Sequence, residues 1–87
     1  MQVTDIKIRK SFAEGNLLAV FSIVLDDELA LHDIKLIKGR EKYIVAMPSR
    51  VAADGSHRDI VHPIKPELRN EIEKNIIHFY ENYKKNE

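Results

Sequence analysis

The sequence predicts an α+β domain: an antiparallel β-sheet of about four to six strands, including a short hairpin arm, followed by a C-terminal α-helix. Three observations predict it. Strand-length apolar segments alternate with polar turn clusters through the first half of the chain. Asp54-Gly55 stands between two short segments as a hairpin signal. Residues 67–84 then change to a helical apolar period.

Residues 2–10 alternate, with Thr4, Ile6 and Ile8 on one side and Asp5, Lys7 and Arg9 on the other, as in a half-buried strand. Glu14-Gly15-Asn16 is a turn signal. Residues 17–25 are apolar at nearly every position, which is how strands read when both faces are covered. One helix covers one face of a sheet. The second face therefore calls for a partner subunit, and a homodimer with Leu17, Ala19, Phe21, Ile23 and Leu25 at or near its interface is expected. Asp26-Asp27-Glu28 makes a tight turn into a third strand, residues 29–38. Its alternation slips at His32-Asp33: Leu29 and Leu31 share one parity, Ile34 and Leu36 the other. A β-bulge there is expected, because an extra residue moves the following side chains to the opposite face.

Lys38-Gly39-Arg40-Glu41 turns into a fourth strand, residues 43–47, which Pro48 ends or confines to an edge. Residues 49–52 are expected to pair with 57–61 as a short arm around Asp54-Gly55. Pro66 suits the first helical position, and Glu67 and Glu71 suit the positive end of the helix dipole. Leu68, Ile72, Ile76, Phe79 and Tyr83 form the apolar stripe, widened by Ile77 and Tyr80. The tail, Lys84-Lys85-Asn86-Glu87, is expected to fray.

A chain of 87 residues fits one domain with a modest core. It has no cysteine, hence neither a disulfide frame nor a thiolate metal site. No apolar run approaches the ~20 residues that cross a bilayer, and the start lacks the apolar stretch of a signal peptide. A complete, cytoplasmic protein with no membrane contact is the expectation. Lysine plus arginine equals aspartate plus glutamate, 14 against 14, so no global field draws the chain to a polyanion. Residues 40–65 alone are net positive, with five basic and three acidic side chains.

Three constellations offer chemistry. His32, Asp33, Asp59 and His62 combine imidazole and carboxylate, the ligand types of zinc sites and proton relays, but at spacings common by chance. Their structural role would be to fix the bulge and a strand end. Ser49 or Ser56 with His57 or His62 lacks both a nucleophile elbow and a glycine-rich oxyanion loop. The third is a basic surface of Arg40, Lys42, Arg50, His57, Arg58, Lys65 and Arg69, because arginine's planar donors match phosphate. The competing possibility is a solvated face with internal pairs, Arg50 with Asp59 across the arm being the specific version. Phe21, Phe79 and Tyr83 fall at core positions, which leaves Tyr43 and Tyr80 as rings able to stack on bases.

Met1-Gln2-Val3-Thr4-Asp5-Ile6-Lys7-Ile8-Arg9, His32-Asp33-Ile34-Lys35, Ala46-Met47-Pro48-Ser49-Arg50, Asp54-Gly55 and Arg58-Asp59-Ile60-x-His62-Pro63-Ile64 follow one another in the order of the SpoVG family, the stage V sporulation protein G family of bacteria. The chain resembles that family along essentially its whole length. The resemblance implies a small cytoplasmic homodimer that binds DNA and, in some members, RNA. It implies a regulator of gene expression linked to sporulation and asymmetric septation, with no enzymatic activity and neither cofactor nor metal. Arg50 and Arg58 occupy the family's motif positions. The chain departs from the usual pattern at Val51, where a further basic residue is common, and at Lys65-Pro66, where serines are common; His57 adds a cation mainly when protonated. A protein-interaction adaptor for division or septation proteins, with incidental nucleic-acid binding, is the alternative. A small hydrolase or metal enzyme built on His32, Asp59 and His62 is a third.

Overall fold

The computed structural model describes residues 1–85; Asn86 and Glu87 of the expected frayed tail lie outside the described residues. The elements are β1 (Val3–Ser11), β2 (Leu17–Leu25), β3 (Leu29–Lys38), β4 (Tyr43–Ala46), β5 (Ser49–Val51), β6 (His57–Asp59) and α1 (Pro66–Lys85). Strands β1 to β4 form one antiparallel sheet in sequence order, while β5 and β6 form a separate two-stranded ribbon. The α+β class, the helix start at Pro66 and the hairpin arm agree with the sequence expectation.

The turns show why the chain folds back where it does. Asp26 and Asp27 both have positive φ, 53° and 56°, and the Glu28 N–H donates to the Leu25 carbonyl at 2.9 Å. That is the tight turn whose twist suits a hairpin, built here without glycine. The Gln2 N–H donates to Asp26 Oδ1 at 2.8 Å and the Asp27 N–H to Thr4 Oγ1 at 3.0 Å, so the start of β1 braces it. Thr4 thereby leaves its expected place beside Ile6 and Ile8: it sits at a register shift, is exposed, and bonds the Val24 carbonyl.

The expected bulge is present. Phe21 pairs with Ile34 but Ile23 with Leu31, leaving His32 and Asp33 opposite Ser22 alone. Asp33 has a φ of 61°, and His32 Nδ1 lies 2.9 Å from Ser22 Oγ. The extra residue returns Ile34 and Leu36 to the same face as Leu31, and all three are buried.

That face lies under α1. Ala19, Phe21, Ile23 and Leu25 of β2 meet Ile34 and Leu36 of β3, Val45 of β4, and Ile72, Ile76 and Tyr80 of the helix. Phe21 and Phe79 meet edge to face with ring centroids 6.1 Å apart. Ala19, Phe21, Ile23 and Leu25 are therefore core within one chain and not a subunit interface, which corrects the sequence expectation. The helix consumed the odd-numbered positions of β2. Leu17 is half-buried, as are Val20 and Val24 on the helix-free face. The helix is also rotated relative to the expected stripe: Ile72, Ile76 and Tyr80 are its buried line, with Leu68, Ile77 and Phe79 flanking. Tyr80 packs edge to face on Tyr43 at 6.0 Å and is buried, so it is not available to stack on a base.

Ile76→Ala removes a fully buried side chain at the centre of the helix–sheet contact. It is expected to cost about 2–5 kcal/mol, read as a lower urea midpoint at unchanged slope. Asp33→Gly should be tolerated and Asp33→Val should destabilise, since a β-branched residue resists positive φ.

Candidate nucleic-acid interface

The arm is built around Ala53, Asp54 and Gly55. The Gly55 N–H donates to the Ala52 carbonyl at 2.9 Å and the Ala52 N–H to the Ser56 carbonyl at 2.7 Å. Gly55 has a φ of 88°, the left-handed position that a three-residue hairpin loop requires. Asp54 Oδ1 accepts from the Ser56 N–H at 3.0 Å and the Ser56 hydroxyl at 2.6 Å. The Ser56 hydroxyl, then its N–H, hold the Asp54 carboxyl below its usual pKa by stabilising the ionised form. The base of the arm closes where the Ile60 N–H donates to the Pro48 carbonyl at 2.7 Å.

Register decides what the arm presents. Ser49 pairs with Asp59, Arg50 with Arg58, and Val51 with His57. Neighbouring residues on a strand point to opposite faces. Arg50 and Arg58 therefore stand side by side on one face, while Asp59 and His57 belong to the other. The competing Arg50–Asp59 pair does not form, and no carboxylate among the described residues lies within 4.0 Å of either guanidinium. Like charges directly opposite cost the ribbon ~0.2–1 kcal/mol. An anion on that face would offset the cost.

The remaining predicted cations are dispersed. Lys65 and Arg69 lie at the start of α1, where Arg69 Nε pairs with Glu73 Oε2 at 3.5 Å. Arg40 and Lys42 lie in the β3–β4 turn, beside Ile77 and Glu81. That is roughly 18 Å along the helix axis from its first turn, so they stand apart from Lys65 and Arg69. The predicted basic surface thus resolves into the Arg50–Arg58 pair, a helix-start pair, and a separate turn.

His32, Asp33, Asp59 and His62 are not brought together either. Among the described residues no group of three or more histidine, cysteine, aspartate or glutamate side chains is placed to hold a metal ion. No helix among the described residues is long and apolar enough to cross a membrane.

Two features escaped the sequence reading. An apolar groove of about 600 Å³ opens between the first turns of α1, the end of the β2–β3 hairpin and residues 61–65, with Leu29, Leu31, Val61 and Leu68 in its walls. Ile64 beside it is 91% exposed, and Ile60 just before it is 67% exposed. On the helix-free face of the sheet, the nearly buried hydroxyl of Ser22 receives the Arg9 Nε–H at 3.0 Å and also meets His32. The signal for this second feature was the shared parity of Lys7, Arg9 and Ser22 across two strands, visible once register is known.

A four-stranded sheet under one helix, with a separate ribbon that sets Arg50 opposite Arg58, defines a small α+β domain. The SpoVG family model matches residues 1–82. A relative from Agathobacter rectalis, named "Putative septation protein SpoVG", is 51% identical over 80 residues, covering 92% of each chain. Bearers of the same name from Lachnospira eligens and Clostridium kluyveri are 46% and 45% identical, covering 93% and 100% of this chain and 92% and 91% of their own. The chain belongs to the SpoVG family.

Two outcomes test the arm. Gly55→Ala should loosen it without unfolding the sheet, because the space around Gly55 is open and the penalty is conformational. Because Asp54 titrates lower folded than unfolded, its contribution to the turn is fully present above the ordinary carboxylate pKa and is lost as pH falls from there through the lower folded value. The protection factor of the Ser56 amide, its exchange relative to the intrinsic rate at each pH, should therefore fall on acidification below about pH 4, and Asp54→Ala should abolish that dependence.

Proposed function

We propose that this chain is a homodimeric nucleic-acid-binding regulator that acts in the cytoplasm on gene expression, with sporulation and asymmetric septation as its outlets. The observation that carries the reading is the Arg50–Arg58 register pair: two arginines opposite each other on a ribbon outside the main sheet, with no carboxylate within 4.0 Å of either guanidinium among the described residues. A sugar–phosphate backbone is the ligand whose charge and geometry fit this pair. The two arginines position the backbone and carry no base code of their own, so the reading spans DNA and RNA.

The dimer fits the groove rather than β2. Ile60 and Ile64 are knobs without a socket, and the groove is a socket without a knob, on the same chain. Reciprocal insertion by a second copy gives the self-complementary contact of a twofold dimer. It also sets two arms in one assembly and doubles the phosphate contacts.

A second reading, an adaptor that binds division or septation proteins, is favoured by the name of the relatives and by the even charge balance. Recovery of division proteins by the nuclease-treated protein, with nucleic acid held only at low salt, would favour it over the first.

Arg50→Ala with Arg58→Ala should weaken binding to oligonucleotides of every sequence and reduce the salt slope by ~0.9 per lost duplex phosphate contact, measured by gel shift across salt concentrations. Unchanged affinity and slope would reject the arm as the contact surface. Ile64→Asp should leave the fold intact and shift the sedimentation profile from dimer to monomer; an unaltered profile would remove the groove from the interface.

A further inference from the structure

The helix-free face of the sheet carries a charge pattern that the even composition conceals. Residues 1–39 contain five basic and six acidic side chains. Folding separates them. Glu14, Asp26, Asp27 and Glu28 fall in the turns, whereas Lys7, Arg9, Lys10 and Lys35 fall within β1 and β3. The register aligns the lysines in two cross-strand rows. Lys7 pairs with Ser22, which bonds His32 on the far side. Lys10 pairs with Val20, Val20 with Lys35, and Lys35 with Ala46. Phe21, between Val20 and Ser22, packs on helix residue Phe79, so both rows lie on the opposite, open face.

The face is built, not merely charged. Ser22 is 7% exposed, within the range of the apolar core residues. Its hydroxyl accepts the Arg9 Nε–H, which turns the guanidinium over the sheet and leaves its terminal nitrogens free. None of Lys7, Arg9, Lys10 or Lys35 has a carboxylate within 4.0 Å among the described residues. Asp5, paired with Val24, is the acidic side chain registered on this face, one row beyond Lys7; exposed Asp33 lies in the bulge beside His32.

We propose that this face is a second phosphodiester-binding surface, in which Lys7, Arg9, Lys10 and Lys35 grip the backbone of a nucleic acid while Ser22 positions Arg9. Charge complementarity selects the occupant. A second copy on this face would oppose one net-positive surface to another, and the apolar row Leu17–Ile37–Ile44, with Ile44 47% exposed, lies beyond the lysine rows on the same face. No aromatic residue holds a registered position there, so bases gain no stacking platform and the contact is to the backbone. Rows of cations ~7 Å apart along the strands and ~10 Å apart across two of them can follow a chain of phosphates. The inference shares the ligand class of the proposed function but uses a surface distinct from the arm, whose arginines lie on a separate ribbon.

The test is a salt titration by fluorescence anisotropy with labelled single-stranded and duplex oligonucleotides of two unrelated sequences. The proteins are wild type, Lys7→Gln/Lys10→Gln/Lys35→Gln, Arg50→Ala/Arg58→Ala, and all five changes together. The triple lysine variant should lose at least tenfold in affinity with a flatter salt slope, equally for both sequences, and should reduce the binding that remains in the arm variant. Lys→Arg at the same three positions should restore it, and Lys74→Gln on the helix should leave it unchanged. Ser22→Ala should weaken binding while Lys7, Lys10 and Lys35 remain, a loss that charge counting alone does not produce. Wild-type affinity and slope in the triple variant would overturn the proposal, as would failure of the arginine replacements to rescue. Loss in the triple variant with none in the arm variant would sustain this face and reject the arm; the reverse would reject this face and sustain the arm.

Discussion

Everything in this fold depends on a single helix covering a single face of a four-stranded sheet. Ile72, Ile76 and Tyr80 close over Phe21, Ile23, Ile34, Leu36 and Val45, and that contact contains most of the fully buried side chains. Burial of each large aliphatic side chain contributes about 1.5–3 kcal/mol, so this layer is the main counterweight to the conformational entropy of a short chain. With the helix committed there, it cannot also cover the other face of the sheet or the arm. Both are left to water or to partners.

The exposed surfaces are accordingly where chemistry concentrates. On the arm, a three-residue turn sets the register, and the register sets Arg50 against Arg58. On the open face, a bulge at His32-Asp33 keeps Leu31, Ile34 and Leu36 all inward and in doing so directs His32 toward Ser22. The same irregularity serves the core and the polar assembly behind it. An alternation without the bulge would expose either Leu31 or the pair that follows it, and His32 would lose its place beside the hydroxyl.

The two cation clusters differ in how they are held. Arg50 and Arg58 are exposed on a ribbon detached from the sheet, so their order comes from the turn and the hydrogen bond at Pro48. Arg9 is fixed by a nearly buried hydroxyl within the sheet itself. Rigid presentation reduces the entropy lost on engaging an anion. The groove between α1 and the 61–65 segment is a third surface of different character, apolar and edged by exposed isoleucines.

Local pattern alone determined the strands, the turns at Glu14-Gly15-Asn16 and Asp54-Gly55, the bulge after Leu31 and the helix from Pro66, because periodicity, turn chemistry and proline geometry act over a few neighbouring residues. What it misjudged was sidedness: Ala19, Phe21, Ile23 and Leu25 read as a subunit surface and Tyr80 as an open ring. Only the tertiary structure decided that the helix takes the odd positions of β2, that Asp59 turns away from Arg50, and that Lys7, Arg9, Lys10 and Lys35 share one face while most nearby carboxylates are set apart in turns. The physical reason is that alternation tells which residues lie together on a strand, but which of its two faces is buried, and what stands opposite each residue, is fixed by pairing and packing with segments distant in the chain.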